Sequence, residues 1–195
     1  MRIASFNING IRARLPRLVE WLEERRPTVA CLQEIKCQDD AFPAAEFEAI
    51  GYKAIWHGQK GFNGVAILAK GVEPVLRLRG LPDDPDPSHS RYIEADVGDW
   101  VIGCIYLPNG NPQPGPKFDY KLAWFEKLAA HARTLLADER PTILCGDYNV
   151  IPNDSRDEVY SARDMASDAL TQPESRAALR SLLFQGWTDA IRSRH

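Results

Sequence analysis

The chain has 195 residues, 44% of them hydrophobic and 26% charged, with a formal net charge of -3. That length suits one hydrophobic core and is short for two, so a single domain over residues 1–195 is expected. The negative balance excludes a general coat of positive charge for indiscriminate nucleic-acid binding, while a local basic patch beside a metal ion stays compatible with it.

Residues 2 to 9 alternate, with Ala4, Phe6 and Ile8 on one side and Ser5, Asn7 and Asn9 on the other. That pattern predicts a strand with a core face and a polar face. Asn7 is a first candidate ligand, although taken alone a solvated asparagine is the simpler reading. Nothing in Met1–Phe6 resembles an apolar leader, and no run is long enough to span a membrane. A cytoplasmic protein with no membrane contact is expected.

Leu15, Leu18, Val19 and Leu22 keep helical spacing, and Pro27 stops the helix near Arg26. Val29-Ala30-Cys31-Leu32 is a continuous apolar run and reads as a central strand. It leads directly into Gln33-Glu34, which puts a carboxylate at a strand end. Strand, helix, strand at this spacing is a crossover unit and implies parallel pairing.

Tyr52 to Trp56 and Val65 to Leu68 read as a hairpin around a polar, Gly-containing loop. His57 has no partner at metal-ligand spacing and is read as structural. Val72 to Leu78 is a further strand, and Gly80 to Ser90, rich in Pro and Asp, is a surface loop. Tyr92 to Val97 and Trp100 to Tyr106 form a second hairpin. Tyr106 closes its strand, either as a phosphate contact or as a core cap with its hydroxyl in water.

Phe118, Leu122, Phe125, Leu128 and Leu135 define the apolar stripe of the longest helix. Pro141 to Cys145 is a buried strand running into Gly146-Asp147-Tyr148-Asn149. If the backbone stays extended, Asp147 and Asn149 share a face. A helix from about Pro173 to Gln185 follows, and Trp187 to Ile191 begins another packed segment. The four cysteines (Cys31, Cys37, Cys104, Cys145) contain no CxxC pair and are expected as free thiols.

Polar strand ends at Asn7, Glu34, Tyr106, Asp147 and Asn149 suit a hard cation, whereas clustered His and Cys for zinc, a P-loop and a G-x-S-x-G elbow are missing. Together with Phe6–Ala13, Leu32–Lys36, Tyr52–Gly61, Gly64–Leu68, Tyr106–Gly110, Gly146–Asn149 and Gly186–Arg192, this series resembles the exonuclease III family of abasic-site endonucleases, within the endonuclease/exonuclease/phosphatase superfamily.

The resemblance implies an α+β, four-layer αββα sandwich of the deoxyribonuclease I type. It implies phosphodiester hydrolysis with Mg2+ or Mn2+ on double-stranded DNA carrying abasic sites or 3′ ends, by a monomer. By the same resemblance Glu34 binds the metal with Asn7 beside it, and Asp147 and Asn149 complete the metal site. Asp147 handles the water, Asn149 holds the phosphate, Tyr106 meets the scissile phosphate or the leaving oxygen, and Asn109 is a further phosphate contact. The family's last strands carry an Asn-Gly-Arg-Ile-Asp type motif and an Asp-His pair, which this sequence lacks. His195 cannot take that role, so a fold incomplete at the C-terminus and weak or absent activity are expected. The alternatives are a phospholipid or phosphoinositide headgroup phosphohydrolase of the superfamily and a non-catalytic DNA-binding fragment.

Overall fold

The structure is a computed structural model that describes residues 1–153, 159 and 165–194. The chain divides into two compact units. The first comprises Met1–Leu81, Asp86–Tyr106 and Arg140–Tyr148. The second comprises Pro82–Pro85, Leu107–Glu139 and Asn149–His195.

The first unit holds two four-stranded sheets. One contains β1 (Ile3–Asn7), β2 (Val29–Gln33), β4 (Val65–Lys70) and β3 (Tyr52–His57) in that order. β1 and β2 are parallel and the other pairs antiparallel, as the crossover through α1 (Ile11–Arg25) requires. The other sheet contains β5 (Val75–Arg79), β6 (Tyr92–Val97), β7 (Trp100–Tyr106) and β8 (Thr142–Asp147), with only β7 and β8 parallel.

Val29, Cys31, Val65, Ile67 and Ala69 of the first sheet pack with Ile93, Ala95, Ile102 and Cys104 of the second. On the other face of the first sheet, Ala30, Leu32, Ala66 and Leu68 pack with Leu18 and Leu22 of α1 and with Phe47 of α2 (Ala44–Ala49). β2 is buried at every residue, which is why its sequence is continuously apolar rather than alternating. The cysteines are free, as expected, and Cys31, Cys37 and Cys104 are buried.

The second unit is built on α3 (Pro116–Ala137) and α4 (Pro173–Leu183), which pack together. Both open with Pro at the helix start, where the missing N–H costs nothing. Phe118, Trp124, Phe125, Leu128 and Leu135 of α3 are buried, and so is Lys121.

Three expectations change. Phe6 does not enter the core and is 49% exposed, because β1 is an edge strand and its flank has no neighbouring strand among the described residues. The segment after Trp187 is not packed: Ile191 is 71% exposed and the chain there runs through turns. The short helix α2 had no counterpart in the periodicity, since six residues hold too few apolar positions to show one. His195 lies outside the described residues. Among those described, no helix is long and apolar enough to cross a membrane.

Candidate active site

Four of the expected residues meet in the first unit. Asn7 is the last residue of β1 and aligns with Gln33 of β2. The alternation of β1 therefore puts Ser5 and Asn7 on the side of Cys31 and Gln33, facing the second sheet. Tyr106 and Asp147 close β7 and β8 as register partners. The Asn7 amide nitrogen donates to Glu34 Oε1 and to Asp147 Oδ2, both at 2.9 Å. The Tyr106 hydroxyl donates to the same Glu34 Oε1 at 2.8 Å. Lys36 Nζ lies 2.8 Å from Glu34 Oε2 and 2.5 Å from Asn9 Oδ1.

The backbone here departs from regular strand. Asn9, Glu34 and Lys36 take left-handed φ values of 47°, 53° and 51°, a region unfavourable to long side chains that collects at functional sites. Neighbouring amides hold it: Gly10 N donates to Glu34 O at 2.7 Å, and Ile35 N to Gly64 O at 3.2 Å. Gly146 has no substitute, because a Cβ there would overlap the Ile105 carbonyl. The Gly-Asp pair is thus a packing requirement that brings β8 against β7 immediately before the carboxylate.

Charge and burial tune the groups. Burial pushes the Glu34 carboxyl up, but the hydrogen bonds from Asn7, Lys36 and Tyr106 outweigh it and hold the group below its ordinary range. The Tyr106 phenol is pushed up, first by burial and then by its bond to Glu34. It stays protonated and remains a donor. The Arg91 guanidinium lies over the Tyr106 ring, 4.9 Å from its centroid, a cation–π arrangement that supports the ring.

Asn109 and Asn149 belong to the second unit. Asn109 Nδ2 lies 3.3 Å from Asn149 Oδ1, and Asn149 Nδ2 donates to Leu107 O at 2.8 Å. The expected extended backbone through Asn149 does not occur. β8 ends at Asp147, and Asn149 is left-handed at φ 47°, so strand alternation does not relate the two side chains.

Glu34 and Asp147 are hard oxygen donors joined through one amide. That chemistry fits a hard divalent cation. Among the described residues no group of three or more His, Cys, Asp or Glu is placed to hold a metal ion. Asn7 turns its NH2 to the carboxylates, and its Oδ1 accepts from Asn9 N at 3.1 Å. Its amide nitrogen thereby braces the two carboxylates.

The description "Endonuclease/Exonuclease/phosphatase family" fits residues 4–193. The chain belongs to this family. Within it the sequence is similar to exodeoxyribonuclease III of Haemophilus influenzae, 35% identical over 202 residues, spanning 98% of this chain and 75% of the relative. The fold matches the solved structure of an AP endonuclease from Archaeoglobus fulgidus with a TM-score of 0.91 and 33% identity, over 99% of this chain and 74% of that one. It also matches a Neisseria 3′ phosphatase, NExo, bound to product DNA hairpin, with a TM-score of 0.87 and 32% identity over 99% and 74% of the two chains. The chain spans about three quarters of the length of these relatives.

As an exodeoxyribonuclease III-type member of the endonuclease/exonuclease/phosphatase family, the protein is a hydrolase and a DNA repair nuclease of a metal-dependent family. Its α+β architecture is the expected one. Lys36, Asn9 and Arg91 join the site although none of them was a candidate site residue in the sequence. Lys36 was visible as a cation two residues from Glu34. Arg91 carried no signal, since it precedes its strand and meets Tyr106 only across the β6–β7 pair.

Proposed function

We propose that this nuclease hydrolyses phosphodiester bonds of double-stranded DNA at abasic sites and 3′ ends, with Mg2+ or Mn2+ as the metal. The supporting observation is the single Asn7 amide that ties Glu34 and Asp147 together, 2.9 Å from each. Glu34 and Asp147 would hold the metal, which when bound polarises phosphoryl oxygen and lowers the proton affinity of water.

The chain's own groups supply the rest. Asp147, oriented by Asn7, takes a proton from the attacking water. Tyr106, kept protonated, donates to a phosphate or leaving-group oxygen. The carboxamides of Asn109 and Asn149 donate to the phosphate as negative charge builds on it. Lys36 offsets the charge of Glu34 on the side away from Asn7 and Tyr106, at Oε2 rather than Oε1.

The test is incision of a duplex with one abasic site, with magnesium, with manganese and in excess EDTA. Incision that needs the metal and is lost in Glu34→Gln and Asp147→Asn is expected. Unchanged incision in EDTA refutes the metal mechanism, and full activity of Asp147→Asn refutes its role as the base.

A further inference from the structure

Lys121 lies in the second turn of α3 and has no exposed surface. Among the described residues its ammonium donates to the backbone carbonyls Asn149 O at 2.6 Å, Asn109 O at 3.0 Å and Ala169 O at 3.3 Å. All four residues lie in the second unit. The three acceptors come from three separate segments: the stretch after β7, the stretch after β8 and the turn before α4.

Burying an ammonium costs several kcal/mol unless its donors are satisfied, and a methionine or leucine would fill the same space without that cost. What an ammonium alone provides is three donors radiating from one atom. Here those donors fix the relative positions of three chain segments.

Two of the three carbonyls belong to Asn109 and Asn149, whose side chains also meet at 3.3 Å. The shortest of the three bonds goes to Asn149, which holds an unfavourable left-handed backbone. The surroundings are built around this arrangement. Gly110 has no side chain to spare, because a Cβ there would come 2.7 Å from Lys121 Cδ. The Ala169 carbonyl also accepts from Ser175 Oγ at 2.7 Å, and Ala169 N donates to Asn111 Oδ1 at 3.0 Å.

We infer that Lys121 is a positioning residue: through their backbone carbonyls it holds Asn109 and Asn149, the two carboxamides assigned to the phosphate, in one fixed arrangement. This rests on the phosphate-binding role of Asn149 proposed above.

A double-mutant cycle tests it. Lys121→Met, Asn149→Ala and the double variant are compared by Kd for a duplex bearing an abasic-site analogue in EDTA, which needs no turnover. Turnover with magnesium and thermal melting are followed on the same samples. Lys121→Met is expected to weaken Kd about 10-fold and to lower kcat about 10- to 100-fold more than it changes KM, as small misplacements in a site do.

The double variant is expected to fall within about 2-fold of Asn149→Ala, because a lysine that acts through Asn149 has little left to lose without it. Independent, multiplying losses overturn the inference, as does wild-type affinity per folded molecule with only the melting temperature reduced. If Lys121→Met does not fold, Lys121→Arg carries the same cycle. It keeps a charge and donors but splays them, and the same absorption or multiplication decides. If Asn149→Ala alone binds and turns over like wild type, the phosphate role of Asn149 fails and this inference falls with it. Loss in Asn149→Ala with Lys121 uncoupled overturns the lysine's role alone.

Discussion

Asn7 Nδ2 donates to Asp147 Oδ2 at 2.9 Å across 140 residues of sequence, linking the end of the first strand to the end of the last strand of the other sheet. The same nitrogen reaches Glu34 at the same distance. One amide therefore sets the geometry of two carboxylates that would repel each other without it. A hydrogen bond to an ionised group contributes about 1.5–3 kcal/mol.

Replacing Asn7 by Ala is expected to lower kcat/KM on an abasic duplex by about 10- to 100-fold and to cost about 1.5–3 kcal/mol of fold stability. Asn7→Asp is expected to be worse, since it adds a third carboxylate in place of the shared donor. Steady-state incision assays with metal titrations check both, and Asn7→Ala should need more magnesium for half-maximal rate. An Asn7→Asp variant as active as wild type would show that the amide is not the brace.

Glu34 predicts a pH dependence of stability. Its folded carboxyl sits below the ordinary value of 4.5, with the bonds from Asn7, Lys36 and Tyr106 outweighing burial. A depressed carboxyl contributes stability that is present above that ordinary value and disappears as pH falls through the folded one. Wild type is expected to melt above Glu34→Gln at pH 7, with the gap closing below about pH 4.5. Melting curves from pH 7 to 3 in EDTA measure it. A gap that stays constant across that range would remove the linkage.

Much of this site is legible because of how strands end. Val29–Leu32 and Ile143–Cys145 are apolar throughout, so the polar residues that follow stand out, and Glu34 and Asp147 are found by position alone. Tyr106 is exposed to the same logic at the end of β7. What stays hidden depends on backbone and on burial of charge. Alternation fails at Asn149 because that residue is left-handed, which no pattern of side chains displays. Lys121 is invisible to helical periodicity because a lysine is scored as solvated, yet it occupies the buried stripe beside Phe118 and Phe125. Phe6 errs in the opposite direction. Its place in an alternating strand is right, but an edge strand leaves it uncovered.

That exposure can be measured. Phe6→Ser is expected to cost less than about 1 kcal/mol of stability, as surface substitutions do. Phe47→Ala, at a fully buried ring in the cluster beneath α1, is expected to cost about 3–5 kcal/mol. Urea denaturation of both variants gives the comparison. Equal costs would mean that the Phe6 ring is covered in solution.

Gly146 offers the sharpest test of how the fold builds the site. Its φ is 151°, and any Cβ would meet the carbonyl carbon and nitrogen of Ile105 at 2.8 Å each and overlap the carbonyl oxygen. These are backbone atoms within the β7–β8 ladder, one register step from the Tyr106–Asp147 pair, so they cannot yield without moving both strands. Gly146→Ala is expected to destabilise the fold by about 2–4 kcal/mol, the range of a severe packing conflict. Gly98→Ala, at a turn with φ 60° and open space around the missing Cβ, is expected to cost about 1 kcal/mol from backbone conformation alone. Because the conflict pushes β8 away from β7, Gly146→Ala should also lower incision per folded molecule, whereas Gly98→Ala should not. Equal stability losses in the two alanine variants, or full specific activity in Gly146→Ala, would show that the approach of β8 to β7 does not set the position of Asp147.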